Sequence, residues 1–128
     1  MTVVGHGIDI IEIPRFKRIL DGQQQKFETQ YFTVMECEIA DRAGVNRVQC
    51  LAGRFAGKEA VLKALGTGWS HGIKWTDVEI GKLPTGGPFV ILHEQAAIIA
   101  DQLGITEWMI SISHQESYAV ASVIALRP

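Results

Sequence analysis

Residues 2–13 (TVVGHGIDIIEI) are rich in Val and Ile and read as a strand, interrupted by Gly5 and Gly7. Pro14 suits the first turn of a short helix over 15–20, which Asp21 and Gly22 should end. Thr33 and Glu36 have capping-box spacing, so a helix is expected through about Ala43 and should stop at Gly44. The longest helix should start near Asn46, with Gln49 three residues on, and run to Leu65 before Gly66. Val48, Leu51, Phe55, Leu62 and Leu65 recur on one side of it at helical spacing, which marks a core face.

Beyond Gly66–Gly68 the pattern changes period. Residues 75–80 alternate like a strand, 83–88 form a tight Gly- and Pro-rich connection, and 89–92 are a second short strand. An amphipathic helix over 94–103 stops at Gly104, and 107–113 with 118–126 form an antiparallel hairpin around residues 115–117. Strands that pair with sequence neighbours, with the helices placed elsewhere, define an α+β chain rather than alternating α/β. No repeat or linker divides it, so a single domain over 1–128 is expected.

Composition narrows the function classes. Twelve basic against 14 acidic residues leave a net charge of −2, with none of the global basicity of a nucleic-acid binder. The apolar run at the N-terminus is far below the ~18 residues needed to span a bilayer, and no basic leader precedes it. A cytoplasmic, membrane-free protein is expected. Cys37 and Cys50 sit in helical stretches outside any metal-ligand spacing and read as reduced core thiols.

Two positions break the apolar logic. Asp9 is a carboxylate inside a strand that otherwise asks for burial, so it needs a partner, a metal or an exposed edge. The glycines before it leave room for a ligand to approach the backbone. On the long helix, Glu59 and Lys63 are four apart on one face, at the edge of the apolar stripe. Lys58 projects into its other flank, where it must snorkel or find a buried anion. The plain reading is a surface ion pair; the sharper one is a site for a hard metal and phosphate charge. A glycine-rich phosphate-binding loop is excluded, because Gly57, Lys58 and Glu59 lie mid-helix with no Ser or Thr after the lysine. Gly53 and Gly57 are expected to permit close packing. His114 ends a strand, where a histidine is usually structural. His6, His71 and His93 belong to no motif, and Met35, Trp69, Trp75 and Trp108 read as packing residues. Arg15, Lys17 and Arg18 cluster after the first strand, either as a solvated face or as a dock for an acidic partner.

Three segments together decide between these readings. GlyIleAsp at 7–9 with IleGluIleProArg at 11–15, ArgPheAlaGlyLysGluAlaValLeuLysAlaLeuGly at 54–66, and SerIleSerHis at 111–114 with TyrAlaValAlaSerVal at 118–123 resemble the holo-[acyl-carrier-protein] synthase family. The resemblance runs in order from about residue 4 to 125. It implies a 4′-phosphopantetheinyl transferase-like fold, an antiparallel sheet with a long central helix and flanking helices. It further implies a homotrimer with sites between neighbours, coenzyme A as substrate, an acyl carrier protein as partner and a role in fatty acid biosynthesis.

Carried over by position, the resemblance makes Asp9 and Glu59 magnesium ligands with Lys63 beside them, these three being the catalytic set. Lys58 is expected to support Glu59 or a phosphate. Gly66, Thr67 and Gly68 would line the pantetheine and phosphate path. Arg54 and His114 would meet the 3′-phosphate or adenine end, with residues 84–88 at the adenine edge. Arg15, supported by Arg18, would dock the acidic carrier. Two rivals stand beside this: a transferase for other carrier domains, usually about twice this length, and a coenzyme A-binding module without catalysis.

Overall fold

A computed structural model describes residues 1–23, 25–68 and 70–128; the packing role expected of Trp69 lies outside the described residues. Strand β1 (Thr2–Glu12) leads directly into helix α1 (Ile13–Gln23), then α2 (Gln25–Tyr31) and α3 (Val34–Arg42). A 3-10 turn at Gly44–Asn46 opens the long helix α4 (Arg47–Leu65). A second 3-10 turn, Trp75–Asp77, precedes β2 (Val78–Lys82) and β3 (Pro88–Leu92). Helix α5 (Glu94–Gln102) and the hairpin β4 (Glu107–His114) and β5 (Tyr118–Arg127) complete the chain. This is the expected α+β arrangement.

β1, β5 and β4 form one antiparallel sheet with β5 in the middle, and β2 pairs with β3 in a second. One face of the central strand is Ala119, Ala121, Val123 and Ala125, all buried. Three of these four are alanines, and a row of small side chains lets α4 lie close across the sheet. β1 goes further: a Cβ on Gly5 would overlap the Ala64 carbonyl, and one on Gly7 the Ala60 carbonyl. The room those glycines leave is therefore filled by the backbone of α4, not by a ligand, which corrects the expectation for this segment. Gly53 and Gly57 do permit close packing; a Cβ on Gly53 would stand 2.8 Å from Ile112 Cγ2.

The core has two parts. One lies between α4, the three-stranded sheet, β2 and α5, around Val61, Leu62, Ile80 and Val123. The other gathers Phe16 and Leu20 of α1, Phe27 of α2, Phe32 from the bend after it and Leu51 of α4, with Cys37 and Cys50 packed against it.

Several boundaries depart from the sequence reading. α1 runs through Asp21 and Gly22, because Lys17 pairs with Asp21 one turn on at 2.7 Å while Phe16 and Leu20 anchor its inner face. α2 carries one buried side chain, Phe27, too weak a period to read from sequence. Asn46 precedes α4 but makes no side-chain cap bond. Residues 75–77 are a 3-10 turn rather than strand, since the Asp77 carboxylate accepts from the Lys74 amide at 3.2 Å and closes it. The Thr33–Glu36 capping box is present with both of its bonds.

Candidate functional site

From Leu51 to Leu65 every residue of α4 is buried except Phe55, Glu59 and Lys63. These recur at i, i+4 and i+8, so the buried helix keeps one open stripe. That stripe faces the Asp9 end of β1. Gly5 stands against Ala64 and Gly7 against Ala60, so two residues up the strand match one turn down the helix. Glu59 thus falls between the levels of Gly7 and Asp9, and helical side chains lean toward the N-terminus, here toward Asp9. Lys63 already spans the gap: its ammonium lies 3.1 Å from Asp9 Oδ1 and donates to the Ile8 carbonyl at 2.9 Å. The structure brings Lys63 to Asp9, with Glu59 on the same open stripe of α4.

The stripe continues into an apolar cleft. Phe55, Phe16, Phe27, Tyr31, Trp75, Ile10, Ile11, Ile19 and Tyr118 line a space of about 640 Å³, with Glu12, Arg15 and Gln23 also on its wall. Phe55 stacks on Trp75 with ring centres 4.8 Å apart, and Tyr31 meets Trp75 edge-on at 4.8 Å. Arg15 and Arg18 are both exposed on α1, so the cleft has a basic flank.

A second cavity, of about 250 Å³, opens on another side of α4 and brings together Arg54, His114, Lys82, Gln49 and Cys50 with Gly86 and Pro88 of the 83–88 connection. The Arg54 guanidinium is buried and donates to the Ile80 carbonyl at 3.2 Å, the Gly81 carbonyl at 3.4 Å and Cys50 Sγ at 3.3 Å. Three of its five N–H groups are thereby used, leaving two for an anion. Arg54 and Glu59 are five residues apart, which turns them roughly 140° from one another around the helix.

Lys58 departs from expectation. Its side chain is fully buried, and its ammonium pairs with Glu36 Oε1 at 2.7 Å while donating to the carbonyls of Trp75, at 3.1 Å, and Val78. It is spent inside the protein and supports neither Glu59 nor a phosphate. Burial pushes the Lys58 ammonium below its ordinary value, with Glu36 opposing that shift. Nearby, Glu79 accepts from the Thr33 hydroxyl and bonds His93 Nε2 at 3.0 Å. Burial works to raise the Glu79 carboxyl, but the Thr33 and His93 bonds outweigh it and hold the group below its ordinary range.

Gly66 closes α4 with a φ of 78°, and Gly68 has a φ of 57°. With Thr67, whose hydroxyl donates to the Gly68 carbonyl at 3.0 Å, they line neither cavity. Sequence reasoning took Phe55 and Trp75 for packing, used Gln49 only to place a helix start, and passed over Tyr31 and Lys82. The stripe was legible in principle, because Phe55 precedes Glu59 by the same four residues that Glu59 precedes Lys63.

The model of the 4′-phosphopantetheinyl transferase superfamily matches residues 5–123 of the chain. A holo-[acyl-carrier-protein] synthase of Solibacter usitatus (strain Ellin6076) is 39% identical over 122 residues, 95% of this chain and 97% of that protein. The crystal structure of holo-[acyl-carrier-protein] synthase from Neisseria meningitidis superposes with a TM-score of 0.89 at 30% identity, covering 98% of this chain and 100% of that one. The Helicobacter pylori holo-[acyl-carrier-protein] synthase in complex with coenzyme A gives 0.83 at 29%, covering 94% and 99%. The chain belongs to this superfamily, among the holo-[acyl-carrier-protein] synthases. It is a transferase.

Proposed function

We propose that this chain, as one domain over 1–128, moves 4′-phosphopantetheine from coenzyme A to a serine of apo acyl carrier protein. The observation that carries the reading is the open stripe of α4, where Glu59 lies between Phe55 of the apolar cleft and Lys63, which pairs with Asp9.

In the reaction the carrier serine oxygen forms a bond to the β-phosphorus of coenzyme A. The bridging P–O bond breaks, and adenosine 3′,5′-bisphosphate leaves with the bonding electrons. Glu59, the carboxylate of the open stripe beside Phe55, takes the serine proton. The Lys63 ammonium, held at this spot by Asp9, balances charge on the phosphoryl group or the leaving group. The donor set fits magnesium: Asp9 and Glu59 offer hard carboxylate oxygens without a thiolate or imidazole, and this ion commonly takes one or two carboxylates. Bound there, it would supply charge neutralisation for the pyrophosphate.

Arg54, with its two spare donors, and His114 suit the 3′-phosphate or adenine end, with Gly86 and Pro88 from the same cavity at the adenine edge. Gly66–Gly68 are proposed for the pantetheine and phosphate path. Arg15, with Arg18, docks the acidic carrier at the basic flank of the cleft.

A homotrimer is supported by the outer face of the three-stranded sheet. Ile8 is 55%, Ile10 60% and Met109 56% exposed, on strands whose opposite face packs on α4. The two cavities also lie on different sides of α4, as expected if each site joins one subunit's Arg54 and His114 to a neighbour's Asp9 and Glu59. Among the described residues no helix is long and apolar enough to cross a membrane, and the reading includes a cytoplasmic place in fatty acid biosynthesis.

The test is intact-mass spectrometry of an apo acyl carrier protein incubated with this protein, coenzyme A and magnesium. One added phosphopantetheine, abolished by a chelator, is the expected result. No addition by a folded preparation would refute the acyl-carrier reading.

A further inference from the structure

A buried ion pair is a poor way to gain stability, because desolvation of both groups offsets their attraction and a well-packed apolar pair often does as well. The Lys58–Glu36 pair therefore asks what else it secures. All three ammonium hydrogens have acceptors on three different elements: Glu36 at the start of α3, the Trp75 carbonyl in the 3-10 turn, and the Val78 carbonyl at the start of β2. Glu36 is used as fully. Its Oε1 also accepts from the Thr33 amide at 2.9 Å, and its Oε2 accepts from the Ile80 amide at 2.8 Å. An apolar pair could fill this volume, but it would leave the two carbonyls without these donors. The backbone from Trp75 to Ile80 is thus sewn to α3 and α4 by two side chains.

What that segment carries is the wall of the cleft. Trp75 stacks on Phe55, the first residue of the open stripe, and meets Tyr31 edge-on. Glu59 follows Phe55 by one helical turn, so a shift of the Trp75 ring alters the seat next to Glu59.

Resting on the transferase reading above, we propose that Lys58 and Glu36 are positioning residues: through the Trp75 carbonyl they fix the Trp75–Phe55–Tyr31 wall against which the carrier's serine-bearing segment is seated beside Glu59. The effect belongs to the carrier rather than to the nucleotide. Arg54 is one helical turn from Lys58, but it donates to Ile80, Gly81 and Cys50, and Trp75 does not line its cavity.

The experiment compares Lys58→Met/Glu36→Gln, Trp75→Ala and the combination with wild type, after circular dichroism confirms the fold of each. The Michaelis constant for carrier protein should rise roughly tenfold or more in the double variant, a misplacement effect, while that for coenzyme A changes less than about threefold. Trp75→Ala should reproduce this with the ion pair intact. The combination should be no worse than Trp75→Ala alone, because both changes act through one ring. Unchanged constants in the folded double variant, equal changes for both substrates, or multiplying effects would overturn the proposal. Should the double variant not fold, an unchanged carrier constant in Trp75→Ala overturns it alone, and a selective rise supports it. Wild-type turnover in the same assay separates this from failure of the transferase reading. Independently of turnover, the Trp75 indole N–H resonance should move in the double variant, and an unmoved resonance counts against the proposal.

Discussion

Lys58 and Glu59 are neighbours on one helix with opposite fates. Lys58 points into the junction of α3, α4 and β2, is wholly buried, and has each ammonium hydrogen in a bond. Glu59 stands on the open stripe, one turn from Phe55 of the cleft and one turn from Lys63, which pairs with Asp9. A turn of roughly 100° per residue is enough to separate a structural charge from a chemical one. Around Lys58 the junction of α3, α4 and β2 is closed, and each ammonium hydrogen there is bonded. The side that faces Asp9 is held tightly by backbone at Gly5 and Gly7 and then left open one step further round. The difference shows that charge in a motif says little until its partners are known, and it predicts that the two residues fail in different ways.

The largest effect should be on stability. Lys58→Met alone leaves the Glu36 carboxylate buried without its counter-ion, which costs about 3–5 kcal/mol. Denaturant unfolding followed by circular dichroism should show the midpoint collapsing. A loss below about 1 kcal/mol would mean that the pair is replaceable and that the contrast between the two flanks is false.

Glu59→Gln should do the reverse. The fold should persist, with a Tm within a few degrees of wild type, since Glu59 is not buried. The turnover number should fall roughly 10²–10³-fold, the scale on which a base or a charge stabiliser contributes. Asp9→Asn should behave similarly in turnover. Parallel thermal melts and mass-gain assays read both quantities, and unchanged turnover in Glu59→Gln would sink the assignment of the stripe.

Much of this was legible in the sequence, and for physical reasons. Thr33 with Glu36 announces a helix start wherever it falls. Asp9 and Glu59 were conspicuous because a carboxylate among apolar residues is costly without a partner. What could not be read was partnership across the fold. Glu36 serves its own helix cap and Lys58 twenty-two residues later, and local spacing specifies only the first of these roles. The glycines at 5 and 7 signalled a close approach without saying by what. Phe55 and Trp75 look like core by composition, and only the tertiary arrangement leaves them at the rim of a cleft.

A smaller effect should follow on the cleft's basic flank. Arg15 is exposed and lines the cleft, so Arg15→Glu reverses a charge without disturbing the core. The Michaelis constant for carrier protein should rise roughly tenfold, more than that for coenzyme A, and the difference should shrink at high salt as the charges are screened. Equal effects on both substrates would show that Arg15 does not distinguish them, and would leave the apolar wall as the only docking feature on this side.

The smallest effect concerns pH and sharpens the contrast within the closed flank itself. Glu79 is held below its ordinary carboxyl value of 4.5 because the Thr33 and His93 bonds outweigh the cost of burial. A carboxyl depressed in the folded state prefers to be ionised there, so unfolding takes up a proton once the pH approaches 4.5 from above. Its contribution to stability is present in full above that value and is lost as the pH falls through the lower folded value. The Tm of wild type should therefore exceed that of Glu79→Gln at pH 6, and the gap should narrow as the pH is taken below 4.5. The lysine on the same flank moves the other way. Burial depresses Lys58, so folding is disfavoured while the unfolded chain holds that proton more readily, and this penalty eases only as the pH rises toward 10.5. Melts from pH 3 to 6 on the two proteins separate the contributions. A gap that stays constant across that range would mean that Glu79 acts by shape alone, and the closed flank would then owe its pH response below neutrality to other carboxylates.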